Sequence, residues 1–319
     1  MKPLVKPIAI AFGALSIGYA LVVIAFSLPA VKKGVSEAIQ SRLSDAYGIR
    51  IEWSGIKTVG LTRLKLSDVQ LEKNNQSLAT IQTVSIGIRP LFIFNGFAGV
   101  RSVTMDGVKV TVHRSKKGQT SFKNVFKSSG GLSMPALSIR MTNVSGDYVD
   151  ETGWGKDPQP FQHGFNGGAV SIDATTKGAT FKGTIKLNES DATVRMDGHV
   201  RNGDFLLNFD VLRLPTDRWS PYLIPIKKIQ VGQHNVNVSG QLSKTKTDKP
   251  MTYQIDVAFS DADVIIYTYL FTHASGRVHV TNLGGHQLQL HDVTATQSGI
   301  PLRGSGGIHF QQKNYQLSI

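Results

Sequence analysis

The chain contains no cysteine, so it holds no disulfides and offers no thiolate to a metal, and an oxidising compartment is permitted without being required. Helical periodicity is also scarce. Beyond residue 48 only Pro90-Leu91-Phe92-Ile93-Phe94-Asn95-Gly96 suggests a helix, with Pro at the first turn and Asn-Gly as the stop. Reaction motifs are missing as well. There is no Gly-x-Ser-x-Gly elbow and no carboxylate pair placed as an acid/base couple. Gly304-Ser305-Gly306-Gly307 lacks the Lys-Ser/Thr and the following helix of a phosphate loop. These gaps predict a protein that is not an enzyme and has no cofactor. A formal charge of +13 favours polyanions or an anionic membrane surface. No basic recognition helix and no aromatic ladder accompanies it, which argues against nucleic acid.

What the chain does have is one six-residue phrase, four times over: Leu64-Lys65-Leu66-Ser67-Asp68-Val69, Val103-Thr104-Met105-Asp106-Gly107-Val108, Ile139-Arg140-Met141-Thr142-Asn143-Val144 and Leu288-Gln289-Leu290-His291-Asp292-Val293. The first two apolar residues are two apart, as in a half-buried strand. After the Asp, Gly or Asn the apolar series resumes one residue out of step, at Val69 and Leu71, at Val108, Val110 and Val112, at Val144 and at Val293. One extra residue is what a β-bulge inserts, and these residue types tolerate the backbone angles involved. Bulges or turns are therefore expected at Asp68, Gly107, Asn143 and Asp292, in a sheet curved by construction.

Residues Ile8 to Leu28 form an uncharged run of 21, flanked by Lys2 and Lys6 before and Lys32 and Lys33 after. About 20 apolar residues span a bilayer core, so residues 1–30 read as a transmembrane anchor rather than a cleaved leader. Val31, Val35, Ile39, Leu43 and Tyr47 then repeat every four positions, predicting an amphipathic capping helix over 31–48 that ends near Gly48. From Ile49 onward the chain reads as amphipathic strands with short polar turns, the pattern of antiparallel sheet wet on one side. The Ser/Gly/Met/Pro stretch 128–135 divides a first β unit at 49–127 from a continuation at 136–319. Val264 to Phe271 is a nearly continuous apolar run, expected to be buried on both faces. Glu151 to Gly168 and Leu214 to Pro225 read as loops.

With so few helices, the apolar face has to close on itself, meet a second sheet or stay open as a groove. The expected fold is mainly β: one transmembrane helix and a short amphipathic helix, followed by a long, curved antiparallel sheet forming an open, taco-like groove. Some 18 strands at about 4.8 Å spacing would reach about 85 Å. Groove-lining candidates are Leu64, Leu66, Val69, Leu71, Val103, Met105, Val108, Val110, Val112, Ile139, Met141, Val144, Val170, Ile172, Leu288 and Leu290. His279, His291 and His309 lie between apolar neighbours and so belong to the polar faces of their strands. Without ligand spacing they predict no metal site. Asp261-Ala262-Asp263 reads as a turn at the start of a strand.

The order of these features resembles the AsmA-like superfamily, which includes the TamB and YhdP proteins. The residues that carry the resemblance are Leu64 to Leu71, Ile81 to Gly96 with its Arg89-Pro90-Leu91 turn, and Val100 to Arg114. Gly118-x-x-Ser121-Phe122 and Asp147-Tyr148-Val149-Asp150-Glu151 extend it. The resemblance implies a single-pass inner-membrane protein with a cytoplasmic N-terminus and a periplasmic β domain that shelters phospholipid between the inner and outer membranes. The alternative is an anchored periplasmic scaffold or assembly factor for outer-membrane proteins, binding protein rather than lipid.

Overall fold

The computed structural model describes residue 37 and residues 49–319 apart from 60–61, 74–75, 89–99, 122–135, 153–160, 176, 189, 217–228, 233, 246–249, 267, 310–313 and 319. The expected anchor, the capping helix apart from Glu37, the short helix at 90–96 and the dividing stretch 128–135 lie outside the described residues. No helix among the described residues is long and apolar enough to cross a membrane.

Seventeen strand segments belong to one sheet. They are β1 (Arg50–Glu52), β2 (Gly55–Val59), β3 (Arg63–Lys73), β4 (Gln76–Ile88), β5 (Val100–Arg114), β6 (Leu137–Asp150), β7 (Phe161–Thr175), β8 (Gly178–Leu187) and β9 (Thr193–Arg201). There follow β10 (Asp204–Pro215), β11 (Ile229–Val231), β12 (Asn235–Lys244), β13 (Thr252–Ile266), β14 (Tyr269–Thr281), β15 (Gln287–Gln297), β16 (Ile300–His309) and β17 (Asn314–Ser318). β1 and β2 pair with successive halves of β3 and share one edge position. β11 and β12 likewise share one position beside β13. The segments thus fill fifteen positions in a long, curved sheet that is open rather than closed into a barrel. Fourteen gaps at about 4.8 Å make it about 67 Å long, shorter than the strand count expected from sequence.

Neighbours pair antiparallel with one exception. β5 and β6 run parallel in register from Ser102↔Ser138 to Arg114↔Asp150. This corrects the expectation of an all-antiparallel sheet. The connection 115–136 is long enough to carry the chain back to the end where β5 began, which a parallel pair requires. It joins two neighbouring strands of one continuous sheet. Two irregular pieces also prove to be partly strand, since β7 already starts at Phe161 and β10 runs to Pro215.

All four phrase positions carry left-handed backbone: φ is 50° at Asp68, 65° at Gly107, 52° at Asn143 and 49° at Asp292. The pairing registers β6–β7 and β15–β16 jump across Asn143 and Asp292. Four more strands do the same at places the phrase does not mark: Gly167, Arg213, Asp261 and His273. Asp261 is therefore a bulge inside β13 and not a turn before a strand. The N–H groups displaced at bulges are satisfied across strands, as buried or half-buried backbone requires. Asp261 N donates to Ser275 Oγ (3.0 Å), Arg213 N to Asn237 Oδ1 (3.0 Å) and Asp292 N to Ser305 Oγ (3.3 Å).

Candidate functional site: an apolar trough

In a sheet, residues paired across strands point to one face, so the registers can be read as rows. One row is apolar or glycine at fourteen consecutive positions. From β2 to β7 it runs Ile56, Leu66, Val84, Met105, Met141, Val170. Gly183, Met196, Phe209 and Gly240 carry it from β8 to β12. It ends with Ile255, Val280, Leu288 and Ile308, the last paired in register with Tyr315 of β17. A second row holds Leu64, Ile86, Val103, Ile139, Ile172 and Phe181, then Gly198, Leu207 and Leu242. A third runs Ile185, Val194, Val211, Val238, Val257, Val278, Leu290. The opposite face is polar: one of its rows reads Lys57, Lys65, Ser85, Thr104, Arg140, Ser171, Lys182, Asp197.

The bulges explain how a face stays apolar although its residues fall out of alternation. Leu66 and Val69, three apart across Asp68, pack in one buried cluster with Ile81, Val84, Val108 and Val144. Leu64, Leu71, Val103, Met105, Val110 and Met141 pack against it. Ile139, Val170, Ile172, Leu288 and Leu290 join through the rows above, and Val112 lies beside Tyr148 near the rim. All sixteen candidate residues therefore share one face of the sheet. A second cluster around Leu187, Leu214, Val236 and Val238 continues the same face, with Phe165 packed against both. Residues such as Leu78 and Val108 are almost fully buried, which marks the apolar side as the better covered face of the sheet.

Glycines in the floor make room for aromatic rings from the next strand. A Cβ on Gly146 would meet the ring of Phe165, one on Gly198 that of Phe181 and one on Gly240 that of Phe209. Sequence alternation does not reveal this smoothing, because it needs the register. The floor is best covered in the first two thirds of the chain. After Ala274 no described apolar residue is fully buried.

At the rim of β5–β7 the apolar rows end on a polar clamp. Asp150 is fully buried. Its Oδ2 accepts from Arg114 Nη1 (3.1 Å) and Tyr148 OH (3.2 Å), and its Oδ1 accepts from Thr152 N (2.8 Å) and Oγ1 (2.6 Å). The hydrogen bond to Asp150 raises the guanidinium pKa of Arg114, and burial, followed by the Asp150 charge, raises that of the Tyr148 phenol. On the polar face, Asp106 Oδ1 accepts from Thr142 Oγ1 and Asn143 Nδ2, each at 2.7 Å, tying the left-handed turn of β5 to the bulge of β6. Those two bonds hold the Asp106 carboxyl below its ordinary range.

The expected surface histidines take polar-face positions, and His279 Nδ1 lies 2.8 Å from Asp256 Oδ1. Among the described residues no group of three or more His, Asp or Glu is gathered for a metal. A further expectation is overturned. Val264 to Phe271 is not a strand buried on both faces but a hairpin, in which β13 ends at Ile266 and β14 starts at Tyr269, with Ile265, Ile266, Tyr269 and Leu270 exposed. Eight residues are too few for the two paired strands and turn that this run encodes to have been told from one buried strand by hydrophobicity alone.

No family model matches this sequence, and no curated protein matches it.

Proposed function

We propose that this protein is a membrane-anchored, periplasmic lipid-binding and lipid-transfer protein whose trough shelters phospholipid acyl chains between inner and outer membrane. The observation that carries the reading is the apolar row crossing fourteen strand positions without a polar interruption. An exposed face of that extent exceeds the few hundred Å² normal for a soluble monomer and calls for an apolar occupant. Each methylene taken out of water contributes about 0.8 kcal/mol. A floor of near-uniform chemistry lets a chain slide along the rows without a deep trap. The apolar run at residues 8–28, the order of motifs shared with the AsmA-like proteins and the absence of any reaction motif in the sequence support the anchor, the compartment and a non-enzymatic role.

Native mass spectrometry of detergent-extracted protein tests this directly, with bound phospholipid as the expected result. Val110→Glu puts a charge among the packed floor residues. The folded variant is expected to lose most co-purifying lipid, and an unchanged lipid yield would sink the reading. The outer edge of β17, free of a partner among the described residues, favours the second reading, a scaffold for envelope proteins. Recovery of a protein partner with no lipid would select it.

A further inference from the structure

The overturned apolar run sits where the trough meets the edge of the sheet. Past the bulge at Asp261, Ala262 returns to the inner face, as Val69 does past Asp68, and pairs with Ala274; both are essentially buried, at 1% and 3% exposure. The next pairs outward on that face are Val264↔Phe271 and Ile266↔Tyr269. The floor therefore continues without a polar step to the tip of the β13–β14 hairpin, where Tyr269 is 60% and Leu270 50% exposed. The neighbouring β15–β16 hairpin ends on the same edge, since Thr272 pairs with Thr296, and its Ile300 is 63% exposed. Some turns elsewhere are wholly polar, for example Lys116–Gly118 and Asn202–Gly203, and the β14–β15 turn exposes a single apolar residue, Leu283.

Three features select the partner. The apolar groups project from two hairpin tips rather than forming a flat face, which suits a yielding medium better than a matched pocket. Tyr beside aliphatic residues is the composition of a water–lipid boundary. The charges behind the tips carry no positive excess, with Asp261 bound to His273, Asp263 close by and Asp292 facing Arg303, so electrostatic capture by anionic lipid is not called for. The tips also lie ten to thirteen strand positions from β1, about 50–60 Å along the sheet, well away from where the N-terminal segment enters.

We propose that the β13–β14 and β15–β16 hairpin tips dock on a bilayer of zwitterionic phospholipid, and that the track from Ala262/Ala274 to Ile266/Tyr269 is the port through which lipid passes between trough and bilayer. The inference rests on the lipid-transfer reading, and the test separates the two. Because the chain has no cysteine, single cysteines at Leu270, Ile300 and, as control, Asn202 can each take an environment-sensitive fluorophore. The full-length protein, held in phosphatidylcholine nanodiscs, is mixed with phosphatidylcholine vesicles that carry a spin-labelled quencher lipid. Emission at 270 and 300 is expected to fall several-fold while that at 202 stays constant. Equal quenching at all three positions, or none at 270 and 300, overturns the proposal. Ile266→Ser/Tyr269→Ser is expected to abolish vesicle capture yet keep co-purified lipid, whereas Val110→Glu should do the reverse. Vesicle capture undiminished in Ile266→Ser/Tyr269→Ser also overturns it. Quenching at the tips by a wild-type protein that carries no lipid would sink the trough reading and leave docking supported.

Discussion

Asp68, Gly107, Asn143 and Asp292 each occupy left-handed backbone, a conformation that costs an ordinary L-residue about 1–2 kcal/mol and a β-branched one more, whereas Gly, Asn and Asp adopt it readily. Asp292 offers a clean test, since its side chain is exposed and its ionic contact is a 3.5 Å approach to Arg303. Asp292→Val is expected to lower unfolding free energy by about 1–2 kcal/mol and Asp292→Gly by less than about 0.5 kcal/mol, as chemical denaturation would measure. Equal losses would remove backbone strain as the reason for the Asp. At a neighbouring bulge the pair His273–Asp261 makes a pH prediction. The hydrogen bond and charge of Asp261 raise the His273 pKa above its ordinary value. The ion pair therefore contributes fully below about pH 6.5, and its contribution fades as pH rises through the raised folded value. His273 should titrate above the ordinary imidazole value by NMR, and Asp261→Asn should lower it.

At the scale of the element, each long strand is two amphipathic half-strands joined out of phase, which is why β3 and β15 keep one apolar face across a jump of three residues. The strand also adapts to its neighbour. Gly146 of β6 lies against the backbone carbonyl of Val110 and beneath the Phe165 ring, so a side chain there must displace main chain as well as an aromatic. Gly146→Val is expected to cost about 1–3 kcal/mol, the usual range for overpacking, while Gly307→Ala, whose new methyl would meet its nearest neighbour at 3.6 Å, should be close to neutral. Thermal melts of the two variants decide this, and equal stability would show that the floor has slack. β-Strand identity was legible because alternation and turn residues are local. The parallel placement of β6 was not, because direction is set by where a connection of some twenty residues brings the chain back, and no residue within β6 encodes it.

At the scale of the molecule, the fifteen-position sheet makes one long curved surface with an apolar face. Left-handed residues at corresponding heights in β3, β5 and β6, and again in β13, β14 and β15, reset the alternation in neighbouring strands together, and the apolar residues stay on one face. Substitutions that put charge on that face should act alike wherever they fall along a row. Val170→Glu and Leu288→Glu are expected to deplete bound lipid as Val110→Glu does, measured by mass spectrometry of the extracted protein. Depletion by only one of them would show separate pockets rather than a continuous floor.

The amino-acid sequence by itself determined the amphipathic strands and the four left-handed phrase positions, two of them register-shifting bulges, because these follow from periodicity and from the φ preferences of Asp, Asn and Gly within a few residues. Which strands adjoin, the parallel β5–β6 pair and the rings laid over distant glycines were decided only by tertiary structure. So was the folding of Val264 to Phe271 into an exposed hairpin at the trough's edge. Each of these depends on register between segments far apart in the chain, and local hydrophobicity carries no record of its partner.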